Sequence, residues 1–401
     1  LRLDHWNGVD LYGKLQEKNA AGETFVLHDG PPFTNGDVHV GTALNKTLKD
    51  VIVRFKSACG YRVPYVPGWD CHGLPIEHKV TKTLRGQAKD FTPLELRGAC
   101  KEFSEGFIEK QRGQFKRLGV LADWNREYRT MDPDYEAVIL RTFAEFVDKG
   151  FVYRSKKPVY WSIPCRTALA EAEVEYQDHV SPAIHVKFPL RESGEFNAGE
   201  NAFLVIWTTT PWTIPANLAI AVNPRETYVE VKSEGNSYWV GAALAEQFAE
   251  SCELENHELG RELSGESLVG WIGRHPFIDR DSPVVAADYV TMDAGTGCVH
   301  TAPGHGLEDY LTGLANDLDI YCPLDDTGRY LDDGQVPASL VGLSVLETKK
   351  GCEANEAVLA LLREHGGLLH LEHHSHQYPH CWRSKTPVVF RAMDQWFVSL
   401  D

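Results

Sequence analysis

"DGPPFTNGDVHVGTALNK" (residues 29–46) joins a short apolar run, "TFVLH" (24–28), to a stretch in which Leu44, Leu48, Val51 or Ile52, and Phe55 recur at helical spacing. The run, bounded by Gly22 and by Asp29-Gly30-Pro31-Pro32, predicts a buried strand. The spacing predicts a helix from about Thr42 to Cys59, stopped by Gly60. "YRVPYVPGWDCHGLP" (61–75) then gives an extended piece and a second Gly/Pro-rich loop. Strand, loop, helix, strand is how a doubly wound parallel α/β sheet begins. Two more helices are expected over 93–118 and 133–149, the second with Asp132 before it and Gly150 after it. A His-x-Gly turn at a helix N-terminus offers backbone N–H groups and an imidazole to a phosphate. Asn35 and Gly36 shape this turn, and Lys46 and Lys49 add positive charge. The competing reading is a plain strand–helix connection in which His39 only satisfies the backbone.

Working outward, 401 residues give room for two domains or three. A net charge of −17 argues against a general polyanion-binding surface, so any nucleic-acid contact must be a local basic patch. Nine scattered cysteines, none at C-x-x-C spacing, read as reduced thiols of a cytoplasmic protein. "FLVIW" (203–207) is among the longest apolar runs and falls far short of a membrane span, so no membrane partner is expected. After about residue 160 the texture changes. "AIHVKFPL", "AFLVIWTTT", "LAIAVN", "TYVEVKS", "SYWVGA", "SPVVAADYV" and "GCVHTA" follow one another with Gly, Asn and Pro between them, which predicts a separate β-rich domain. A late helix is expected over 353–365. The chain begins Leu1-Arg2-Leu3 and stops at "QWFVSLD", within a strand-like stretch, which reads as a fragment of a longer protein.

The second loop carries the family signal. "YVPGWDCHGLPIE" (65–77) resembles isoleucyl-tRNA synthetases, which are class I enzymes. So do "LHDGPP" (27–32), "WTTTPWTIPAN" (207–217), "DAGTGCVHTAPGHG" (293–306) and "YPHCWRSKTPVVFRA" (378–392), so the resemblance runs through the whole chain. It implies residues 1–160 as the N-terminal half of a Rossmann-like catalytic domain. Residues 161–377 would be an inserted β-rich editing domain, and 378–401 a truncated return to the catalytic domain. The KMSKS loop and the anticodon-binding region would lie beyond Asp401.

Position by position, the resemblance implies ATP (with magnesium) at Gly30, His39 and Gly41, and adenylate chemistry at His39, Gly41 and Thr42. The family signature reads HIGH; here it is His39-Val40-Gly41-Thr42, with a short neutral hydroxyl where the second imidazole would be. That exchange predicts slower activation, because charge-assisted donors at a phosphoryl centre are the stronger ones. Pro31 would line the isoleucine side-chain pocket and Asp70 would hold the substrate ammonium. In the insert, Thr208, Thr209, Thr210, Trp212, Asn217, His300 and Asp309 match the hydrolytic pocket. There Asp309 would grip the ammonium of valine misattached to tRNA-Ile, and His300 would hydrogen-bond near the ester or ribose. A second sieve of this kind answers the weak discrimination a pocket achieves over one methylene, for which this enzyme class is the standard example. His305, between two glycines, reads as structural. Family zinc knuckles are Cys-x-x-Cys pairs; here they are Ser162-Ile163-Pro164-Cys165 and Cys381-Trp382-Arg383-Ser384. Even with His380 nearby, no zinc is expected on half the thiolates. The implied activity is isoleucine–tRNA ligation with editing of valyl-tRNA. The alternatives are a stand-alone editing hydrolase and a non-catalytic synthetase paralogue.

Overall fold

The computed structural model describes residues 2–83, 91–194, 199, 201–349 and 351–400. By packing, the chain divides into two units: one reaches to Val152 and also holds Leu400, and the other is Tyr153–Ser399. These boundaries differ from the 160/161 and 377/378 expected from the sequence. The second unit is larger because Leu368–Cys381 pairs antiparallel along Val174–Glu192, from Val186 down to Val174. Val389–Val398 and Val152–Ser162 then share a small sheet with Thr167–Ala168. No helix among the described residues is long and apolar enough to cross a membrane.

In the first unit the pairing is parallel, as expected of an α/β start. Gly68–Trp69 runs beside Tyr128–Arg129, and single parallel bridges join Thr24 to Arg62 and Phe33 to Asp70. The expected buried strand at 24–28 is instead an extended segment with one open face. Phe25 and Leu27 pack on the core cluster, whereas Val26 is 70% exposed. The helix Val40–Ala58 forms where its spacing predicts, but the buried stripe is Lys46, Val53 and Ser57. Leu44, Leu48, Val51, Ile52 and Phe55 all lie on the exposed side. Lys46 decides the rotation, because its ammonium reaches inward to Asp29 and over the Phe115 ring. The helix Pro93–Leu118 opens on a Thr92/Glu95 capping box, and Gly119, at φ 86°, closes it. It buries Ser104, Ile108, Gln111 and Phe115 at helical spacing against Val63, Tyr65 and Trp69. Gln111 also donates to Phe33 O (3.0 Å) and Gly36 O (2.8 Å), which pins the turn leading to His39.

The second unit is built on a ten-stranded mixed sheet. Its centre follows the apolar runs of the sequence: Ala202–Thr208 lies antiparallel to Val174–Glu192 and parallel to Asn236–Gly241. Ala219–Val222 is flanked by Asp281–Ala286 and Cys298–Thr301. Val186, Phe188, Leu204, Ile206, Ile220, Val222 and Trp239 are fully buried in one core. Each such aliphatic is worth about 1.5–3 kcal/mol of transfer free energy. Cys298–Thr301 puts His300 in the sheet, and the inner strand Ala202–Thr208 carries the threonine run at its C-terminal end.

Candidate functional site

The first constellation is organised by an aspartate that no sequence motif singles out. Asp29 is 1% exposed. Its carboxylate accepts from Lys46, from Lys49 (3.0 Å), from the Tyr65 hydroxyl (2.8 Å) and from Gly68 N (3.1 Å). The Tyr128 hydroxyl donates to its carbonyl (2.8 Å). Burial alone would push this carboxyl up, but the two ammoniums and the hydroxyl hold it below the usual carboxylate range. Burial pulls the Lys46 ammonium down. The charge expected of Lys46 and Lys49 is thus partly neutralised: two cations on one carboxylate leave a single positive unit. The signal was present in the sequence as two lysines three residues apart on a helix, following an acid beside Gly-Pro-Pro.

Asp29 also ties together the segments that carry the other candidates. Asp70 N donates to Pro32 O (2.9 Å) and Thr34 N to Asp70 O (3.1 Å), so Pro31 and Asp70 sit on adjoining backbones. The Asp70 carboxylate is half-buried, and burial raises its pKa. Its contact with His72 N is long, at 3.4 Å, and among the described residues no lysine or arginine pairs with it. It therefore keeps acceptor capacity for a cation. His39 caps the helix: Nδ1 accepts from Gly41 N (3.1 Å) and Thr42 N (3.3 Å). The ring proton accordingly sits on Nε2, 3.1 Å from Thr42 Oγ1, which accepts it. Both amides that the turn was expected to offer a phosphate are taken by the imidazole itself. What the turn presents outward is the Thr42 hydroxyl proton.

In the second unit, Thr208 Oγ1 accepts from Thr210 N (3.1 Å) and contacts Thr210 Oγ1 (3.2 Å). Thr209, Thr210 and Trp212 line a small cavity with His179, Ser181, Glu347, Asn355 and Tyr378. The His179 Nε2 and Glu347 Oε2 atoms lie 3.0 Å apart there, and Asn355 Oδ1 accepts from Trp212 N (3.0 Å). None of these three was foreseen, since they come from separate strands and loops.

His300 and Asn217 are not among the lining residues. His300 is buried, and burial pushes its pKa down to about 3, so it is neutral. Asn217 Nδ2 donates to His300 Nδ1 (3.0 Å) and to Ala219 O (2.8 Å), and Asn217 Oδ1 accepts from Ser282 (2.6 Å). His300 Nε2–H then donates to Thr213 Oγ1 (2.8 Å), and Thr213 donates to Thr210 O (2.8 Å). This relay fixes Thr210 and leaves no free nitrogen on His300. Asp309 lies in the first turn of the helix Leu307–Ala315, with Oδ2 accepting from Ala302 N (2.9 Å). Burial raises its carboxyl to about 6. His305 bonds Phe390 O (3.0 Å) and sets its ring edge-on to Trp212 at 5.1 Å, which connects the Asp309 helix to the cavity wall.

Along residues 1–401 the chain matches the family described as tRNA synthetases class I (I, L, M and V). It is 50% identical over 403 residues to the isoleucine–tRNA ligase of Nitratidesulfovibrio vulgaris (strain DSM 19637 / Miyazaki F). It is 49% identical over 399 residues to that of Carboxydothermus hydrogenoformans, and 50% over 400 residues to that of Fervidobacterium pennivorans. Each alignment takes in 100% of this chain and 42% of the relative, so the chain spans less than half the length of the curated relatives it matches. With an α/β first unit, a Gly-Pro-Pro segment bonded to an Asp70 loop and a His-capped helix following it, the chain belongs to the class I tRNA synthetases that serve isoleucine, leucine, methionine and valine.

Proposed function

We propose that this chain is the N-terminal part of an isoleucine–tRNA ligase and carries both one half of the activation site and a hydrolytic editing site. The observation that carries this reading is the near-50% identity to isoleucine–tRNA ligases along all 401 residues. In activation, the isoleucine carboxylate attacks the α-phosphorus of magnesium-bound ATP, pyrophosphate leaves, and the acyl group passes to the 3′ end of tRNA-Ile. Asp70 takes the ammonium and Pro31 borders the side chain. This role is supported by the spare acceptor capacity of Asp70 and by the backbone bonds that hold the two segments together. Gly30, Gly41 and His39 shape the nucleotide side, where the Thr42 hydroxyl is the outward donor.

In editing, the ester of valyl-tRNA would meet water held by Thr209 and Thr210, Trp212 would limit the pocket, and Asp309 would accept the ammonium. His300 and Asn217 would serve by holding the threonine loop, a role supported by their hydrogen-bond saturation. The catalytic segments would be 1–160 and 378–401 and the editing domain 161–377, in a cytoplasmic protein. A stand-alone editing hydrolase is the second reading, favoured by Thr42 in place of a phosphate-facing imidazole. The test is deacylation of preformed valyl- and isoleucyl-tRNA by this chain and by Asp309→Ala. Selective loss of the valyl ester, abolished in the variant, is expected. Equal hydrolysis by a folded Asp309→Ala protein would remove Asp309 from the site.

A further inference from the structure

A net charge of −17 leaves room for nucleic acid only at a local basic patch, and one such patch, with aromatic rings in it, lies in the first unit. The helices Leu74–Thr83 and Pro93–Leu118 and the turn Asn35-Gly36-Asp37 border an open groove of ≈ 710 Å³, lined by Lys79, Lys82, Phe103 and Phe107. That is within the roughly 300–1,000 Å³ of ligand sites. Phe103 and Phe107 are one helical turn apart, with ring centroids 4.9 Å from each other, and neither ring is fully buried. On the other helix Lys79 and Lys82 are exposed and three residues apart. Lys79 gives one ammonium proton to Asn35 O and keeps two. Lys82 has no hydrogen bond or ion pair with the described residues. Asp37, the acid on the rim, is already held by Lys110 (2.8 Å) and Gln114 (2.8 Å), so it does not cancel the two lysines. Gln111 donates to Gly36 O (2.8 Å) and fixes the turn, which runs into His39 three residues on.

We propose that this groove binds a single-stranded RNA end beside the His39 turn, with Lys79 and Lys82 on its phosphates and a base stacked on the Phe103 and Phe107 rings. Cations that follow the backbone, combined with aromatic side chains that take base faces, are how proteins hold single strands without reading sequence. A duplex is excluded by the same chemistry, because its bases are already stacked on one another. The groove offers rings and ammoniums rather than an array of donors and acceptors. Asn35, the amide in its lining, has Nδ2 directed to Pro75 O (3.4 Å). The site is therefore tolerant of sequence and sensitive to salt. That the strand is the 3′ end of a tRNA rests on the ligase reading above; the affinity for a single strand does not.

The test is fluorescence anisotropy of a labelled single-stranded RNA octamer ending in CCA, titrated with the 401-residue protein at several salt concentrations. The strand should bind more tightly than the same sequence annealed to its complement. Lys82→Gln should lower the slope of log affinity against log salt by about 0.7, the share of one phosphate contact on a single strand. Phe103→Ala should weaken binding by about 5- to 150-fold, the worth of one stacked base, in a protein that melts as the parent does. A thiouridine in the strand should cross-link to the peptide 101–110. Two outcomes would overturn the proposal: no binding of the single strand, or cross-links confined to the second unit with both variants binding as the parent. A strand held in the groove by a chain that, extended to the length of its relatives, makes no isoleucyl-adenylate would sink the ligase reading and leave the groove standing.

Discussion

Replacing Asp29 by asparagine keeps the shape of the hub and removes its charge, which isolates what the charge does. Lys46, 3% exposed, would lose its counter-ion in place. An ammonium stranded in that position can shed its proton instead. Neutralising a lysine of ordinary pKa near 10.4 at pH 7 costs about 1.36 × 3.4, or roughly 5 kcal/mol. That sets the ceiling, and breaking a buried pair by removing one partner commonly costs about 3–5 kcal/mol. Because the chain has two units, a single unfolding midpoint would blur the effect. Hydrogen exchange resolved by peptide, over 29–46 and 61–70, reads the first unit alone. Asp29→Asn should lower protection there by about 3–5 kcal/mol and leave the peptides of 202–222 unchanged. Adding Lys46→Met removes the stranded charge at similar volume and should restore at least half of the loss. The pH dependence carries a sign as well. Asp29 has a lowered pKa in the fold, so its stabilisation is present above the ordinary carboxylate pKa near 4 and is lost as pH falls through the folded value. The variant should lack that acid-side loss. A loss below about 1 kcal/mol in the single variant, or a double variant no better than the single, would refute the assignment of Asp29 as the electrostatic centre of this unit.

The remaining expectations concern the other groups. Asp309 is raised to about 6 in the fold against 3.8, so it favours folding when protonated, and that contribution disappears as pH rises through 6. Asp309→Asn should therefore raise the melting temperature of the second unit at pH 8 by the equivalent of about 1–3 kcal/mol, and leave it unchanged at pH 4, as calorimetry at the two pH values will register. Thr42→His, in a chain extended to the length of its relatives, should raise isoleucine-dependent pyrophosphate exchange by roughly 10²-fold, the worth of one charge-stabilising donor at a reacting centre. No gain would mean that Thr42 is already compensated.

Legibility in the sequence followed what local pattern can encode. "AFLVIW" and "LAIAV" are apolar at consecutive positions because both faces of those strands are buried, and they form strands where the runs predict. Leu368–Cys381 was opaque for the opposite reason. "HHSHQYPH" looks polar throughout, yet it pairs along a long neighbour whose position 200 residues earlier no window contains. The helix Val40–Ala58 was legible as a helix and misleading as to its face. Periodicity reports a stripe, but a buried ion pair spanning 17 residues chose which stripe turned inward. Pro31 and Asp70 are singled out by family resemblance, and the His39 turn by its place between a strand-like run and a helix start. Asp29, His179 and Asn355 are not, because what distinguishes them is the company that folding gives them.

The hydrogen-bond inventory separates the candidates into two kinds. His300, Asn217 and His39 Nδ1 already spend their capacity inside the protein, so binding a substrate through them would break a bond for each one made. Among the described residues, Asp70, the Thr42 hydroxyl proton and one oxygen of Asp309 keep spare capacity. Substitutions should sort accordingly. On the proposed function, Asp70→Asn in a chain extended to the length of its relatives should leave folding intact and raise the Michaelis constant for isoleucine, since no lysine or arginine among the described residues pairs with that carboxylate. His300→Ala should unfold the threonine loop first: Asn217 Nδ2 loses an acceptor and Thr213 a donor in a buried place, each worth about 1–3 kcal/mol. Any editing defect in that variant should then scale with lost stability, and should be matched by Asn217→Ala, which breaks the same relay without removing the imidazole. If His300→Ala lost deacylation while melting as the parent does, His300 would have to touch the ester after all, and the relay to Thr210 would be incidental.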